Sequence, residues 1–207
     1  MTLLNLRRRA PAAMLAAALA ASVLAGCATT SAPRSAAAVA PYQDNVDLGG
    51  GIAINYIKDG KRESATLSFT WHQTKATTDV TLISPTRQVL AIISVTPGLA
   101  TLKQSGKEQR TAPDLDSLTT QMLGWPLPVS GLREWLQGYA TDASGKRFVA
   151  SPANDTVVTH DGWKIEYATW QDDKAAVPQP KRIDITRLGA GPVDELTIRV
   201  AIRPDTE

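Results

Sequence analysis

Few side chains in this chain have the type and spacing for chemistry. His72 follows a strand-like run rich in Ser and Thr, and His160 precedes Asp161–Gly162 in a turn-like stretch. Neither has a second ligand at metal-binding spacing, so the simplest reading of both is a solvated strand-end or turn histidine. Ser68 and Thr70 are hydroxyl nucleophiles only by elimination, because no histidine is evidently placed to activate them and no G-x-S-x-G elbow occurs. The glycine run Gly49–Gly51 lacks a following helix that would cradle phosphate, and reads as a bulge at a strand start. Asp172–Asp173 reads as a solvated loop. The inventory points away from an enzyme and away from a metal or organic cofactor.

The remaining reactive residue is Cys27, the only cysteine, so no intrachain disulfide can form. Arg7, Arg8 and Arg9 precede an apolar run, Ala12–Leu24, too short to span a bilayer comfortably, which is the build of a secretory signal peptide. The run ends in "LAGC", Leu24–Cys27. This resembles the bacterial lipobox, where a peptidase cuts before a cysteine already carrying diacylglycerol. An ordinary secreted protein or a plain membrane anchor is the competing reading. Ala28 stands where an aspartate resembles an inner-membrane retention signal, and its absence implies sorting to the outer membrane.

The expected organisation is a signal peptide over 1–26, a lipidated N-terminus and flexible tether over 27–46, and one domain over 47–207. "ATTSAPRSAAAVAP", Ala28–Pro41, is small, polar and proline-punctuated. Cleavage would leave 181 of the 207 residues. Removing Arg7–Arg9 from 22 basic residues leaves 19 against 20 acids, a net charge near −1. The basic pI belongs to the leader, and nothing electrostatic favours nucleic acid.

These sparse groups sit among strands. "RESATLSFTWHQ" places Ala65, Leu67, Phe69 and Trp71 on one face and Ser64, Thr66, Ser68 and Thr70 on the other. "GIAINYI" precedes it across the turn "KDGK", and "DVTLIS", "QVLAIISV" and "LATLK" follow. After a helical middle come "TVVTHDGWKIEYATW", "RIDITRL" and "ELTIRVAI", the last with Leu196, Ile198, Val200 and Ile202 in phase. Short links make every pairing antiparallel, and clean alternation gives a sheet with one apolar face, which must curl around something. Two helices lie in the middle. Asp114 caps the first, whose stripe is Leu115, Leu118, Met122 and Leu123. Ser130 caps the second, with Leu132, Trp135 and Leu136 at i, i+3, i+4 and Gly138 as its stop. Pro126 and Pro128 keep the two from merging. Five tryptophans, Trp71, Trp125, Trp135, Trp163 and Trp170, lie in or beside these elements and suit either a core or an apolar cavity.

"GWPLPVSGLREWLQG", Gly124–Gly138, resembles the G-x-P-x-P-x-x-x-L-R-x-W-x-x-G signature of the LolB family of outer-membrane lipoprotein receptors. "FTWHQT" ahead of "LISPTRQVLAI" is similar to that family's strands and connecting loop, and the likeness runs from about Leu48 to Ile202. The resemblance implies a mainly β fold: an incomplete, unclosed antiparallel barrel of about eleven strands with short helices packed in or over its concave apolar face. It implies an apolar cavity that takes acyl chains of triacylated lipoproteins from the periplasmic carrier LolA and passes them into the outer membrane. The cavity and its lid are expected at Leu67, Phe69, Trp71, Leu82, Leu118, Met122, Trp125, Leu127, Leu132, Trp135, Leu136, Trp163 and Ile165. Lipidation is expected at Cys27, with the domain a monomer facing the periplasm. The family's protruding N-P-L-G loop is here Pro85, Thr86 and Arg87, with Thr86 where the exposed leucine falls; Val89 or Leu90 could replace it. A structural or assembly lipoprotein with a closed core, and a lipid-modifying enzyme, are the alternatives.

Overall fold

The computed structural model describes residues 33–203 apart from 124–126, 128, 191 and 192. Cys27 and the leader, together with Trp125, Pro126 and Pro128, lie outside the described residues, as does the side chain of Leu123.

Alternating, β-branched sequence gives long strands at both ends of the chain. β1 (Val46–Lys58) and β2 (Lys61–Gln73) form a hairpin. Its two-residue turn places Asp59 at φ 51° and Gly60 at φ 70°, the conformation that matches the twist of the flanking strands. Three strands follow, β3 (Thr78–Ile83), β4 (Val89–Thr96) and β5 (Leu99–Lys103), and then the short β6 (Arg110–Ala112). After the helices come β7 (Tyr139–Thr141), β8 (Arg147–Val149), β9 (Thr156–Val158), β10 (Lys164–Trp170), β11 (Pro180–Ala190) and β12 (Val193–Arg203). Ten of them make one antiparallel sheet in the order β6-β5-β4-β3-β2-β1-β12-β11-β10-β9. Its end strands β6 and β9 do not pair with each other, so the barrel is open. β7 and β8 form a separate hairpin that the sequence reading missed, since three-residue strands are too short to show a period.

α1 (Leu115–Leu123) starts at Asp114, whose carboxylate accepts the Ser117 N–H at 2.7 Å and the Ser117 hydroxyl at 2.9 Å. These bonds, the backbone one foremost, hold the Asp114 carboxyl below its usual range. α2 (Leu132–Trp135) is a single turn preceded by Gly131. Ser130 does not cap it. Instead its hydroxyl donates to Asp116 Oδ2 at 2.5 Å and its N–H to Asp116 Oδ1 at 3.2 Å, tying the approach to α2 back onto α1.

The apolar side chains form two clusters. The larger one gathers Phe69, Trp71, Trp135, Trp163, Ile165, Tyr167 and the inward residues of β11 and β12. The smaller one packs Leu115 and Leu118 of α1 on Ala91, Ala100, Leu102 and Ala112. Leu82 and Ile93 touch both.

Two expectations change. Gly49–Gly51 is not a bulge: β1 runs in unbroken register there against both β2 and β12, and its irregularity lies at Ile57/Lys58. Gly50 is small because Phe69 and the β12 backbone come close. A Cβ there would lie 2.1 Å from the Ala201 carbonyl oxygen and 2.9 Å from the Phe69 ring. The other change concerns the stretch expected as tether, which is docked from Arg34 onward. The Ser35 carbonyl accepts the Ala153 N–H at 3.0 Å, and the Val39 N–H donates to the Ala150 carbonyl at 3.1 Å. The Tyr139 hydroxyl donates to the Ala40 carbonyl at 2.6 Å, and Arg34 pairs with Asp155 at 2.8 Å. Val39 is buried against Gly138, whose φ of 88° and absent Cβ make room for it. Small residues that read as a linker are what a strap pressed on a surface also needs.

Gly50→Ala is expected to destabilise the domain by about 1–3 kcal/mol through overpacking, which lowers Tm by about 2–10 °C in a domain of this size. A thermal melt followed by circular dichroism checks this.

Candidate functional site

Between the two clusters the sheet keeps a hollow of about 250 Å³. Period-two strands build its walls, because every second side chain of a strand meets the same face. β1 contributes Ile52 and Ile54, and β2 contributes Leu67, Phe69 and Trp71. β3 adds Val80 and Leu82, β4 adds Ala91 and Ile93, β5 adds Leu102, and β12 closes the back with Ile198 and Val200. Thr119 and Met122 of α1, Leu127 and Val129 of the link, and Leu132 and Leu136 at α2 form the roof. Of nineteen lining residues among those described, only Gln104 and Thr119 are polar, so a ligand here meets hydrocarbon. Thr119 spends its hydroxyl locally, donating to the Asp116 carbonyl at 2.9 Å and accepting the Leu127 N–H at 3.3 Å. The Trp71 indole N–H is likewise satisfied, by Gln73 Oε1 at 3.1 Å, and Gln73 Nε2 in turn donates to the Tyr42 hydroxyl of the strap at 2.9 Å.

The expected cavity residues divide by position. Leu67, Phe69, Trp71, Leu82, Met122, Leu127, Leu132 and Leu136 line the hollow. Leu118 is turned into the smaller cluster under α1. Trp135 is buried with its ring against Gly131, where a Cβ would come within 2.4 Å of it, so it props α2 from the side away from the hollow's lining. Trp163 lies beneath the Arg187 guanidinium, 5.2 Å from the ring centroid, and Ile165 is solid core. The sequence did not single out Ile52, Ile54, Val80, Ala91, Ile93, Leu102, Ile198 and Val200 on the strands, or Gln104, Thr119 and Val129 beside them. Ile52 and Ile54 were legible: a two-residue hairpin turn sets Ile52 opposite Leu67 and Ile54 opposite Ala65. Ala91 and Ile93 were not, because "VLAII" is apolar at both parities.

The roof is held by polar contacts at its margin. Arg133 of α2 reaches across to the β2–β3 turn, donating to the Thr74 carbonyl at 2.7 Å, the Thr77 carbonyl at 3.1 Å and the Thr78 hydroxyl at 2.5 Å. Ser130 on Asp116 holds the other margin.

Among the described residues that line the hollow, no histidine, cysteine or carboxylate accompanies the Thr119 hydroxyl. Ser68 and Thr70 have the parity opposite to Leu67, Phe69 and Trp71, so they sit on the outer face of β2. His72 is on that face too, in an exposed pair with Asp47. Its imidazole pKa is raised, by the hydrogen bond to Asp47 first and then by that carboxylate's charge. His160 borders a shallow surface depression with Asp161 and Thr159. No group of histidine, cysteine and carboxylates among the described residues could hold a metal ion.

Pro85, Thr86 and Arg87 form the β3–β4 turn. The Arg87 N–H donates to the Ser84 carbonyl at 2.9 Å with Arg87 at φ 64°, and the Thr86 hydroxyl lies 2.8 Å from that of Ser84. Beside the turn, Val89, Leu90 and Ile92 are exposed at 51%, 41% and 42%.

Sequence comparison places these features in a family. The family model described as "Outer membrane lipoprotein LolB" matches residues 44–204. An outer-membrane lipoprotein LolB of Cupriavidus taiwanensis is 36% identical over 163 residues, spanning 76% of this chain and 79% of that relative. One from Alkalilimnicola ehrlichii is 32% identical over 203 residues, spanning 92% and 94%. Among solved structures, a LolA superfamily protein from Nitrosomonas europaea aligns at 8% identity and a TM-score of 0.44 over 80% of this chain and 86% of its own, too loose a likeness to argue from. An open antiparallel shell around an apolar hollow, with a family match across nearly all of the folded part, makes this chain a member of the LolB family of outer membrane lipoproteins.

Proposed function

We propose that this protein is anchored to the outer membrane through a lipidated Cys27, faces the periplasm, and receives lipoproteins from the carrier LolA by taking their acyl chains into the hollow. It then releases them into the membrane. The observation that carries this reading is the lining itself: a space walled by hydrocarbon, with Gln104 and the hydrogen-bonded Thr119 as its polar residues, suits a fatty chain and little else. A triacylated lipoprotein exposes on the order of 45 methylenes, each costing about 0.8 kcal/mol in water, so it does not cross an aqueous compartment unaided. Moving the chains from one apolar hollow to another removes that cost without reacting on the lipid, and no nucleophile is required.

At about 250 Å³ the hollow is smaller than ordinary ligand sites of roughly 300–1,000 Å³, so accommodating acyl chains requires the roof to rise. The attachments of the roof suit that motion. Each hydrogen bond of Arg133 or Ser130 contributes only about 0.5–1.5 kcal/mol net, since water replaces the lost partner. The apolar wall uncovered beneath is covered again by the incoming chain. Thr86 turns its hydroxyl into its own turn, so contact with the bilayer falls to Val89 and Leu90 beside it, with Ile92 on the same outer surface. Since the strap is docked from Arg34, only seven steps of chain separate it from Cys27, a reach of at most about 25 Å. The domain therefore works close to the membrane surface.

The decisive experiment mixes the soluble domain with cargo-loaded carrier and follows lipoprotein transfer by gel filtration; absence of transfer at excess receptor would refute the reading. Leu132→Glu places a charge in the hydrocarbon lining and should weaken uptake of a fluorescent fatty acid by about tenfold or more with far-UV circular dichroism unchanged. Arg133→Met keeps an unbranched apolar stem but removes the three bonds to the β2–β3 turn. It should lower Tm by a few °C and speed entry of the same probe severalfold in stopped-flow fluorescence.

A further inference from the structure

The long β2 is paired along its whole length with β1, from Lys61 opposite Lys58 to Gln73 opposite Val46. On its other side it meets β3 only from Ser68 to Gln73. β3 ends at Ile83, and the chain then turns at Pro85, which cannot donate to a ladder. Among the described residues no other backbone or side chain bonds to the outer edge of Lys61–Leu67. Lys61 through Thr66 are exposed on both faces of the strand. Seven residues of unpaired edge, about 23 Å of strand, is a template for another extended chain. Lys61, Arg62 and Glu63 at its far end are the kind of charges that keep such an edge from pairing with copies of itself.

The edge is continuous with the hollow. Leu67, its last residue, lines the hollow, and so does Ile54, which sits opposite Ala65 across the β1–β2 ladder. A lipoprotein carries its acyl chains on the cysteine that begins its mature chain, so whatever leaves the hollow behind those chains is the start of a polypeptide in extended form. We infer that the free edge of β2, Lys61–Leu67, receives this peptide as an added strand, so that the receptor grips cargo by acyl chains in the hollow and by main-chain hydrogen bonds beside it. The inference rests on the acyl-chain reading above. Main-chain pairing reads no side chains, which suits a receptor for cargoes that share a lipid and differ in sequence. The end strands β6 and β9 are each only three residues long and neither contributes to the lining, and the β9 edge is partly taken by Ala143, whose N–H donates to the Val158 carbonyl at 2.9 Å.

The test uses the full-length lipidated protein in nanodiscs, with a tripalmitoyl-cysteinyl decapeptide delivered on the carrier. Hydrogen exchange over 61–67 is read by mass spectrometry, and entry into the hollow is read by quenching of Trp71 with brominated acyl chains. Alternate amides of the edge should exchange about tenfold more slowly with the lipopeptide, but not with brominated palmitate alone. The same lipid on a decapeptide N-methylated at every second residue should enter the hollow without protecting the edge. Quenching of Trp71 with unchanged exchange at 61–67 overturns the inference and leaves the acyl-chain reading standing. Equal protection by the N-methylated peptide overturns it too. If no lipopeptide quenches Trp71, both fall. Protection that rises with protein density in the absence of lipopeptide assigns the edge to a second copy of this chain and also overturns the inference.

Discussion

The structure depends on an apolar concave face that its own helices do not fill. β1 to β5 and β12 turn a continuous apolar surface inward, and among the described residues a nine-residue helix, a single-turn helix and Leu127 and Val129 of their link cover it. A soluble domain ordinarily closes such a gap, because apolar surface left bare loses about 25 cal/mol per Å² of stabilisation. Here the roof is held at its margins instead of being drawn into the space. Arg133 is committed to two carbonyls and a hydroxyl of the β2–β3 turn, and Asp116 to Ser130. Moving inward would strand the partly buried carbonyls and hydroxyl that Arg133 satisfies, and that penalty opposes collapse of the hollow.

The same logic accounts for the division of labour among the aromatics. Trp163 and Tyr167 are fully buried and make the barrel's solid half, while Phe69 and Trp71 stand at the border between core and hollow. Trp71 keeps its position through Gln73, which the strap residue Tyr42 bonds in turn. Tyr42 also meets Tyr139 edge-on, and Arg147 sits over the Tyr139 ring at 4.6 Å. The strap is thus part of the support of the wall.

Polarity divides between the faces with equal consistency. Ser68, Thr70 and His72 occupy the outer side of β2, where water satisfies them, and the inner side is left to hydrocarbon. Placing a hydroxyl or imidazole on the inner side would bring a desolvation cost that the outer side avoids.

The sequence alone determined what depends on neighbours along the chain. Alternation in "RESATLSFTWHQ" separated the two faces of β2, "KDGK" marked the first hairpin, and Asp114 marked the start of α1. The lipobox-like "LAGC" and the Gly124–Gly138 signature carried the family. Only the tertiary structure decided which tryptophans border empty space and which fill it, because period two gives the face of a residue but not what stands opposite. Trp135, Trp163 and Leu118 belong to apolar faces just as Trp71 and Leu132 do, and are separated from them only by the curl of the sheet and the placement of the roof. Nor could composition distinguish a loose tether from a docked strap, since Ser35–Ala40 makes its contacts through backbone groups and small side chains that look the same in both states. The partner of Arg133 and the unpaired edge of β2 were likewise hidden, as both arise from where separate strands end relative to one another.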